Sequence, residues 1–95
     1  MIIELNKLQH AIQCIFEHLS ERGVDSVEIS EDFYWNFNCD EVYDPMKSPS
    51  DLDLGQLSDD WNRLLSIVNG DNPALGYSLV WAAPILRRIG ELNVR

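Results

Sequence analysis

The chain has 95 residues, of which 45% are hydrophobic and 24% are charged, a composition typical of one folded domain over residues 1–95. Its 16 acidic residues outnumber its 7 lysines and arginines. The resulting net charge of −9 argues against binding to nucleic acid or to an anionic membrane surface, because both require basic residues. The excess of acid favours a basic protein partner instead.

The first predicted element is a helix over residues 3–22, which Gly23 ends. Apolar residues recur in this segment at helical spacing. They form one stripe, which consists of Leu5, Leu8, Ile12, Ile15, Phe16 and Leu19. We expect this stripe to pack into the core of the domain.

Residues 25–39 alternate apolar and polar side chains and include several aromatics, which predicts one or two short strands. A helical turn capped by Ser30 is the competing interpretation. Residues 40–55 contain prolines, serines and a glycine. We expect them to form a connection without regular structure, apart from a single turn capped by Asp40.

The clearest helix signal covers residues 58–69. Ser58 is a favourable N-cap residue, and Asp59 and Asp60 fall in the first turn, where the helix dipole favours negative charge. Apolar residues follow at helical spacing until Gly70 ends the helix.

A last helix is predicted over residues 73–92, and it is apolar on several sides. Such a helix belongs either at the centre of a core or in a dimer interface. Pro84 lacks the N–H that would bond to the Val80 carbonyl, so a kink or a break is expected near Ala83.

These elements predict a mainly α fold, a small single domain of about three packed helices with a short extended or β segment near residues 25–39. Phe16, Trp61 and Trp81 are expected in its core. The sequence shows neither a signal-peptide pattern nor a run long enough to span a membrane, and two cysteines make no disulfide framework. A cytoplasmic protein with reduced thiols is expected.

Metal binding and catalysis have weak support in the sequence. His10, Cys14 and His18 lie at i, i+4 and i+8 of the first helix, where the outer pair is about 12 Å apart along the axis and cannot easily hold one ion. No third group orients a Cys–His pair for nucleophilic catalysis, and no glycine-rich phosphate loop is present. We therefore predict a non-enzymatic protein without a metal or another cofactor.

The clearest functional signal is the distribution of charge. Between Asp25 and Asp60 there are eleven acidic residues, and Lys47 is the single base. Aromatic side chains lie among these acids, as in interfaces where aromatic anchors have a charged rim. The residues predicted to bind a partner are Glu31, Asp32, Tyr34, Asp40, Glu41, Tyr43 and Asp44.

Two stretches, EDFYWNFNCDEVYDP and LGQLSDDWNRLL, carry a resemblance. The chain resembles a group of small, acidic, uncharacterised bacterial proteins over roughly residues 25–92; the first helix carries no motif. The matching positions are Asp32, Tyr34, Trp35, Tyr43, Asp44, Gly55, Gln56, Leu57, Ser58, Asp59, Asp60 and Trp61, and Phe33 stands where tyrosine is more usual. The resemblance implies no activity. Small size and acidity are also similar in type to immunity proteins, which neutralise basic nuclease toxins.

The sequence thus predicts a cytoplasmic protein-interaction module that uses an acidic, aromatic-containing surface against a basic protein, with an immunity or antitoxin-like role as its sharpest form. Two alternatives stay open. One is a structural homo-oligomer, such as a homodimer, built on the apolar last helix. The other is a small metal-binding protein or enzyme that uses His10, Cys14, His18 and the carboxylates.

Overall fold

The computed structural model describes residues 1–36 and 53–94. In chain order, these residues form helix α1 (Leu5–Glu21), strand β1 (Phe33–Asn36), strand β2 (Asp53–Gln56), helix α2 (Leu57–Val68) and helix α3 (Ser78–Leu92). The predicted mainly α fold with a short β segment is confirmed. Within these ranges, no helix has the length and apolar character needed to cross a bilayer.

Helix α1 has the predicted amphipathic pattern but does not form part of a core. None of its residues is buried, and Phe16, which was predicted in the core, is 46% exposed. Among the described residues, the extensive packing joins α2 to α3 and β1 to β2. Gly23, with a φ of 80°, follows the helix in the left-handed region that favours glycine.

The two strands pair in antiparallel register, with Phe33 opposite Gln56 and Tyr34 opposite Gly55. The prediction that residues 40–55 lack regular structure is therefore wrong for residues 53–55, which belong to β2, whereas residues 40–52 lie outside the described ranges. Aspartate and glycine are uncommon in strands, so pairing with β1 overrides local preference here. Helix α2 begins directly where β2 ends, without a loop between them.

Helices α2 and α3 pack against each other around Leu57 and Ile85, the two buried apolar residues of the described part. Trp61, also predicted in the core, is 51% exposed, and Trp81 is half-buried. The core is therefore centred on the first turn of α2 and the middle of α3. Gly70, with a φ of 81°, ends α2 as predicted.

Helix α3 is shorter at its start than the predicted 73–92 and is unbroken at its proline. The backbone N–H of Leu75 donates to the Ser78 hydroxyl at 3.1 Å, and a turn precedes Ser78, so the helix begins at Ser78. Pro84 lies inside the helix, which continues to Leu92. Of the kink or break expected near Ala83, the break is therefore wrong, and the kink stays a prediction. The helix tolerates the missing hydrogen bond and continues for eight residues beyond the proline.

Candidate functional site

Asp32 stands immediately before β1 and caps the start of α2. Its carboxylate accepts two hydrogen bonds from Ser58, one from the backbone N–H at 2.6 Å and one from the hydroxyl at 2.7 Å. The Asp32 carbonyl also accepts a bond from the N–H of Leu57 at 2.7 Å. The prediction that Ser58 is the N-cap is therefore wrong, because a charged acceptor from another element satisfies the free N–H groups of the helix.

Tyr34 crosses β2 at Gly55, its partner in the sheet. A Cβ atom on Gly55 would lie 2.6 Å from Cε2 of Tyr34, closer than real Cβ contacts come. The absence of a side chain at this position therefore lets the phenol ring lie across the strand. The ring covers the glycine and directs its hydroxyl towards the first turn of α2.

The Tyr34 hydroxyl donates a short hydrogen bond to the carboxylate of Asp60, which is only 4% exposed. Burial of the phenol, the hydrogen bond to Asp60 and the charge of that carboxylate together raise the pKa of Tyr34 to about 12. Tyr34 therefore stays protonated at neutral pH. It acts as a donor that satisfies a buried carboxylate, and not as a general base.

Asp60 has a second neighbour, because the Arg63 guanidinium lies 3.9 Å from its Oδ1 atom. The same guanidinium lies over the ring of Trp81 on α3, with its carbon 5.4 Å from the ring centroid. Tyr77 meets Trp81 edge-to-face, with centroids 5.9 Å apart and planes at 84°. Arg63 thus joins a buried carboxylate to an aromatic pair.

These groups surround a cleft of about 270 Å³ between the sheet, α2 and α3. We name it the acidic aromatic cleft; its chemically distinctive lining residues are Tyr34, Asp59, Asp60, Arg63, Tyr77 and Trp81. Aromatic faces beside carboxylates favour a cation, and they favour the planar guanidinium of arginine most. The cleft therefore has the chemistry of a guanidinium site, and in this structure the guanidinium of Arg63 occupies that position.

The predicted partner-binding residues divide into three groups. Glu31 is exposed and lies 3.5 Å from Nη1 of Arg88. Asp32 and Tyr34 already have intramolecular partners in α2, so the structure gives both side chains a role within the fold. Asp40, Glu41, Tyr43 and Asp44 lie outside the described residues.

Sequence analysis did not identify Arg63, Tyr77 and Trp81 as site residues. A signal was present in the spacing, because Tyr77 and Trp81 are four residues apart in one segment and Asp60 and Arg63 are three apart in another. Side chains at these spacings are neighbours on one helical face. The spacing does not predict that the α2 face with Asp60 and Arg63 contacts the face with Tyr77 and Trp81 at the start of α3.

Two of the residues considered for a metal site, His10 and Cys14, contact each other. The Cys14 sulfur lies 3.6 Å from Nε2 of His10 on the exposed surface of α1. No group of three or more His, Cys, Asp or Glu side chains in residues 1–36 and 53–94 is arranged to hold a metal ion.

No family model, curated protein sequence or solved structure matches the chain.

Proposed function

We propose that this chain is a non-enzymatic, cytoplasmic protein-interaction module whose acidic aromatic cleft receives an arginine side chain of a basic protein partner. The observation that carries the proposal is the position of Arg63. Its guanidinium lies over the Trp81 ring beside Asp60, so the cleft already accommodates the group that a basic partner would supply.

The charge of the chain acts at long range. A net charge of −9 attracts basic proteins and raises their association rate, in a manner that salt weakens. Long-range attraction selects a class of partner but does not fix its orientation. An immunity-like protein that binds a basic nuclease toxin is the sharpest form of this proposal, since it needs both fast association and a defined complex.

The cleft acts at short range. Asp60 is buried and held by Tyr34, so its carboxylate has already lost its water before a partner arrives. A guanidinium that enters therefore displaces little water from this acceptor and finds Trp81 as a flat surface for stacking. Asp59 is exposed at the same cleft and adds a second carboxylate.

Arg63 is the competitor of an incoming arginine. Its side chain is 55% exposed, so it can leave the Trp81 ring without disrupting the core. Removal of Arg63 should free the cleft and strengthen binding, whereas loss of Trp81 or Asp59 should weaken it. This opposite effect of two neighbouring substitutions distinguishes a specific site from general attraction between charges.

The experiment measures the affinity of a hexa-arginine peptide by calorimetry for the wild type and four variants. Arg63→Ala and Lys7→Ala both remove one positive charge, and Lys7 lies on the exposed surface of α1, which makes it the matched control. We expect Arg63→Ala to bind about fivefold or more tightly than Lys7→Ala, and Trp81→Leu and Asp59→Asn to bind more weakly than the wild type.

Equal affinities for Arg63→Ala and Lys7→Ala would overturn the cleft as the binding site, because net charge alone would then explain binding. Circular dichroism of Trp81→Leu verifies that the helices persist. The natural partner is then sought by pull-down from a lysate of the source organism at low and high salt with nuclease added. The Arg63→Ala and Trp81→Leu proteins serve as the enhanced and weakened baits.

A further inference from the structure

Two apolar surfaces of the described residues lack a partner. The first is the α1 stripe, which consists of Leu5, Leu8, Ile12, Ile15, Phe16 and Leu19; Ile15, at its centre, is 58% exposed. The second is the α3 groove, a depression of about 860 Å³ whose apolar lining includes Phe33, Leu57, Leu79, Val80 and Pro84. Leu79 at this groove is 71% exposed. Contiguous exposed apolar side chains of this kind mark surfaces that bind a partner.

The α1 stripe has the spacing of a helix that packs against other helices. Leu5, Leu8, Ile12, Ile15 and Leu19 alternate steps of three and four residues over the length of α1. This alternation keeps one seam of the helix facing its neighbour. Phe16 widens the seam, as in helices that pack on a broad apolar surface. The stripe is therefore suited to a groove lined by apolar side chains.

The distribution of charge favours a second copy of the chain as the source of that helix. Helix α1 carries one lysine and two glutamates, a net charge of 1 − 2 = −1, and α3 carries two arginines and one glutamate, a net charge of 2 − 1 = +1. The two helices together are neutral, so the rest of the chain carries the whole net charge of −9. Two copies of so acidic a protein repel each other least through these two helices.

The chain between α1 and β1 permits an exchange of helices. Residues 24–32 contain neither helix nor strand, and α1 is joined to the rest of the described structure through this segment. Exchange of an identical element between two copies is a frequent route to symmetric dimers. Each copy then fills the groove of the other, and the two interfaces are equivalent.

We propose that the α3 groove receives the α1 stripe of a second copy, so that the protein forms a symmetric, helix-exchanged homodimer. The α3 groove adjoins the acidic aromatic cleft, because Phe33, Tyr34 and Val80 line both. The dimer is nevertheless tested separately from the proposed function, because the molar mass of the chain alone is measured without a basic partner. The sequence predicted a homo-oligomer built on α3 alone. The present proposal adds α1 as the surface that α3 binds in the second copy.

The test measures molar mass by light scattering over a concentration series, with a reductant present because Cys14 is exposed. The wild type should have twice the 10.9 kDa mass of the chain at micromolar concentration. Ile15→Asp, in the stripe, and Leu79→Asp, in the groove, should each give a monomer. Both side chains are exposed, so neither change disrupts the folded chain. His10→Asp, on the opposite face of α1, is the control and should remain a dimer.

A mixture of the two monomeric variants provides the decisive result. The intact stripe of Leu79→Asp meets the intact groove of Ile15→Asp, so the mixture should recover a heterodimer with one of its two interfaces. A dimer that tolerates Leu79→Asp but not Ile15→Asp would overturn the proposal in favour of α1 pairing with itself. A wild type that stays monomeric at high micromolar concentration would also overturn it.

Discussion

Asp32 and Ser58, 26 residues apart, are joined by two hydrogen bonds that connect the start of β1 to the first turn of α2. The carboxylate serves α2 as an N-cap supplied by another element. We predict that Asp32→Ala lowers the free energy of unfolding by about 1–2 kcal/mol, because the N–H of Ser58 then loses its acceptor. Urea unfolding followed by circular dichroism measures this loss.

Two further variants refine the prediction on Asp32. Asp32→Asn keeps an oxygen acceptor and should retain most of the stability. Glu31→Ala removes the neighbouring acid, whose contact with Arg88 is exposed, and should change the free energy of unfolding by less than about 0.5 kcal/mol. A loss of equal size for Glu31→Ala and Asp32→Ala would contradict the capping role.

The contact between Tyr34 and Gly55 predicts opposite effects for two glycine substitutions. Gly55→Ala places a methyl group against the Tyr34 ring and should destabilise the fold by roughly 1–3 kcal/mol. Gly90→Ala, in α3, places its methyl group in open space and should stabilise the helix by about 0.5–1 kcal/mol. Thermal unfolding of the two variants checks the difference in sign. Stabilisation by both substitutions would show that Tyr34 does not lie across Gly55.

The raised pKa of Tyr34, about 12, predicts how stability responds to alkaline pH. Because the folded pKa lies above the ordinary value of about 10, the contribution is fully present below pH 10 and is lost as the pH rises towards 12. The Tyr34→Phe protein should lack this part of the decrease in the free energy of unfolding at alkaline pH. Urea unfolding of both proteins between pH 8 and pH 12 measures it, and parallel pH profiles would refute the assignment.

The cause of the Tyr34 pKa can be tested separately. Asp60→Asn removes the carboxylate charge and changes the hydrogen bond, so the pKa of Tyr34 should fall, but not to 10, because burial is the largest cause of its elevation. Ultraviolet absorbance at the phenolate band, compared with Tyr34→Phe, follows this single ionisation. An unchanged Tyr34 pKa in the Asp60→Asn protein would show that the Asp60 carboxylate does not contribute to its elevation.

Pro84 predicts a stabilising substitution. Alanine at this position would restore a donor for the Val80 carbonyl within α3, and we expect Pro84→Ala to raise the free energy of unfolding by roughly 1–3 kcal/mol, less the entropy that proline removes from the unfolded chain. Thermal unfolding measures the change. A fall in stability would indicate that the proline ring, which lines the α3 groove, is needed for packing there.

The features that sequence predicted well are those that local spacing decides. The helical stretches around Ile12 and Leu65, and the ends of α1 and α2 at Gly23 and Gly70, follow from periodicity and from the conformational freedom of glycine. Strand β2 was missed because Asp53–Gln56 has no strand preference of its own. It is a strand because β1 pairs with it, and pairing is not a local property.

The site shows the same limit more strongly. Asp60 was recognised as a first-turn acid of α2, but its burial beneath Tyr34 depends on a contact over 26 residues. Most large apolar residues are buried, but Phe16 and Trp61 are exposed. Their exposure depends on which surfaces of the folded chain have no partner. Residue type and spacing alone do not determine either property.

The separation between β1 and α2 also has a consequence for folding. The bonds of Asp32 to Ser58 and of Tyr34 to Asp60 all span the same 26 residues. A chain that closes this loop once therefore incurs the entropy of closure a single time and can form every one of these bonds together. The sheet, the helix cap and the buried carboxylate should consequently appear and disappear as one cooperative unit, which opens in hydrogen exchange with a single free energy.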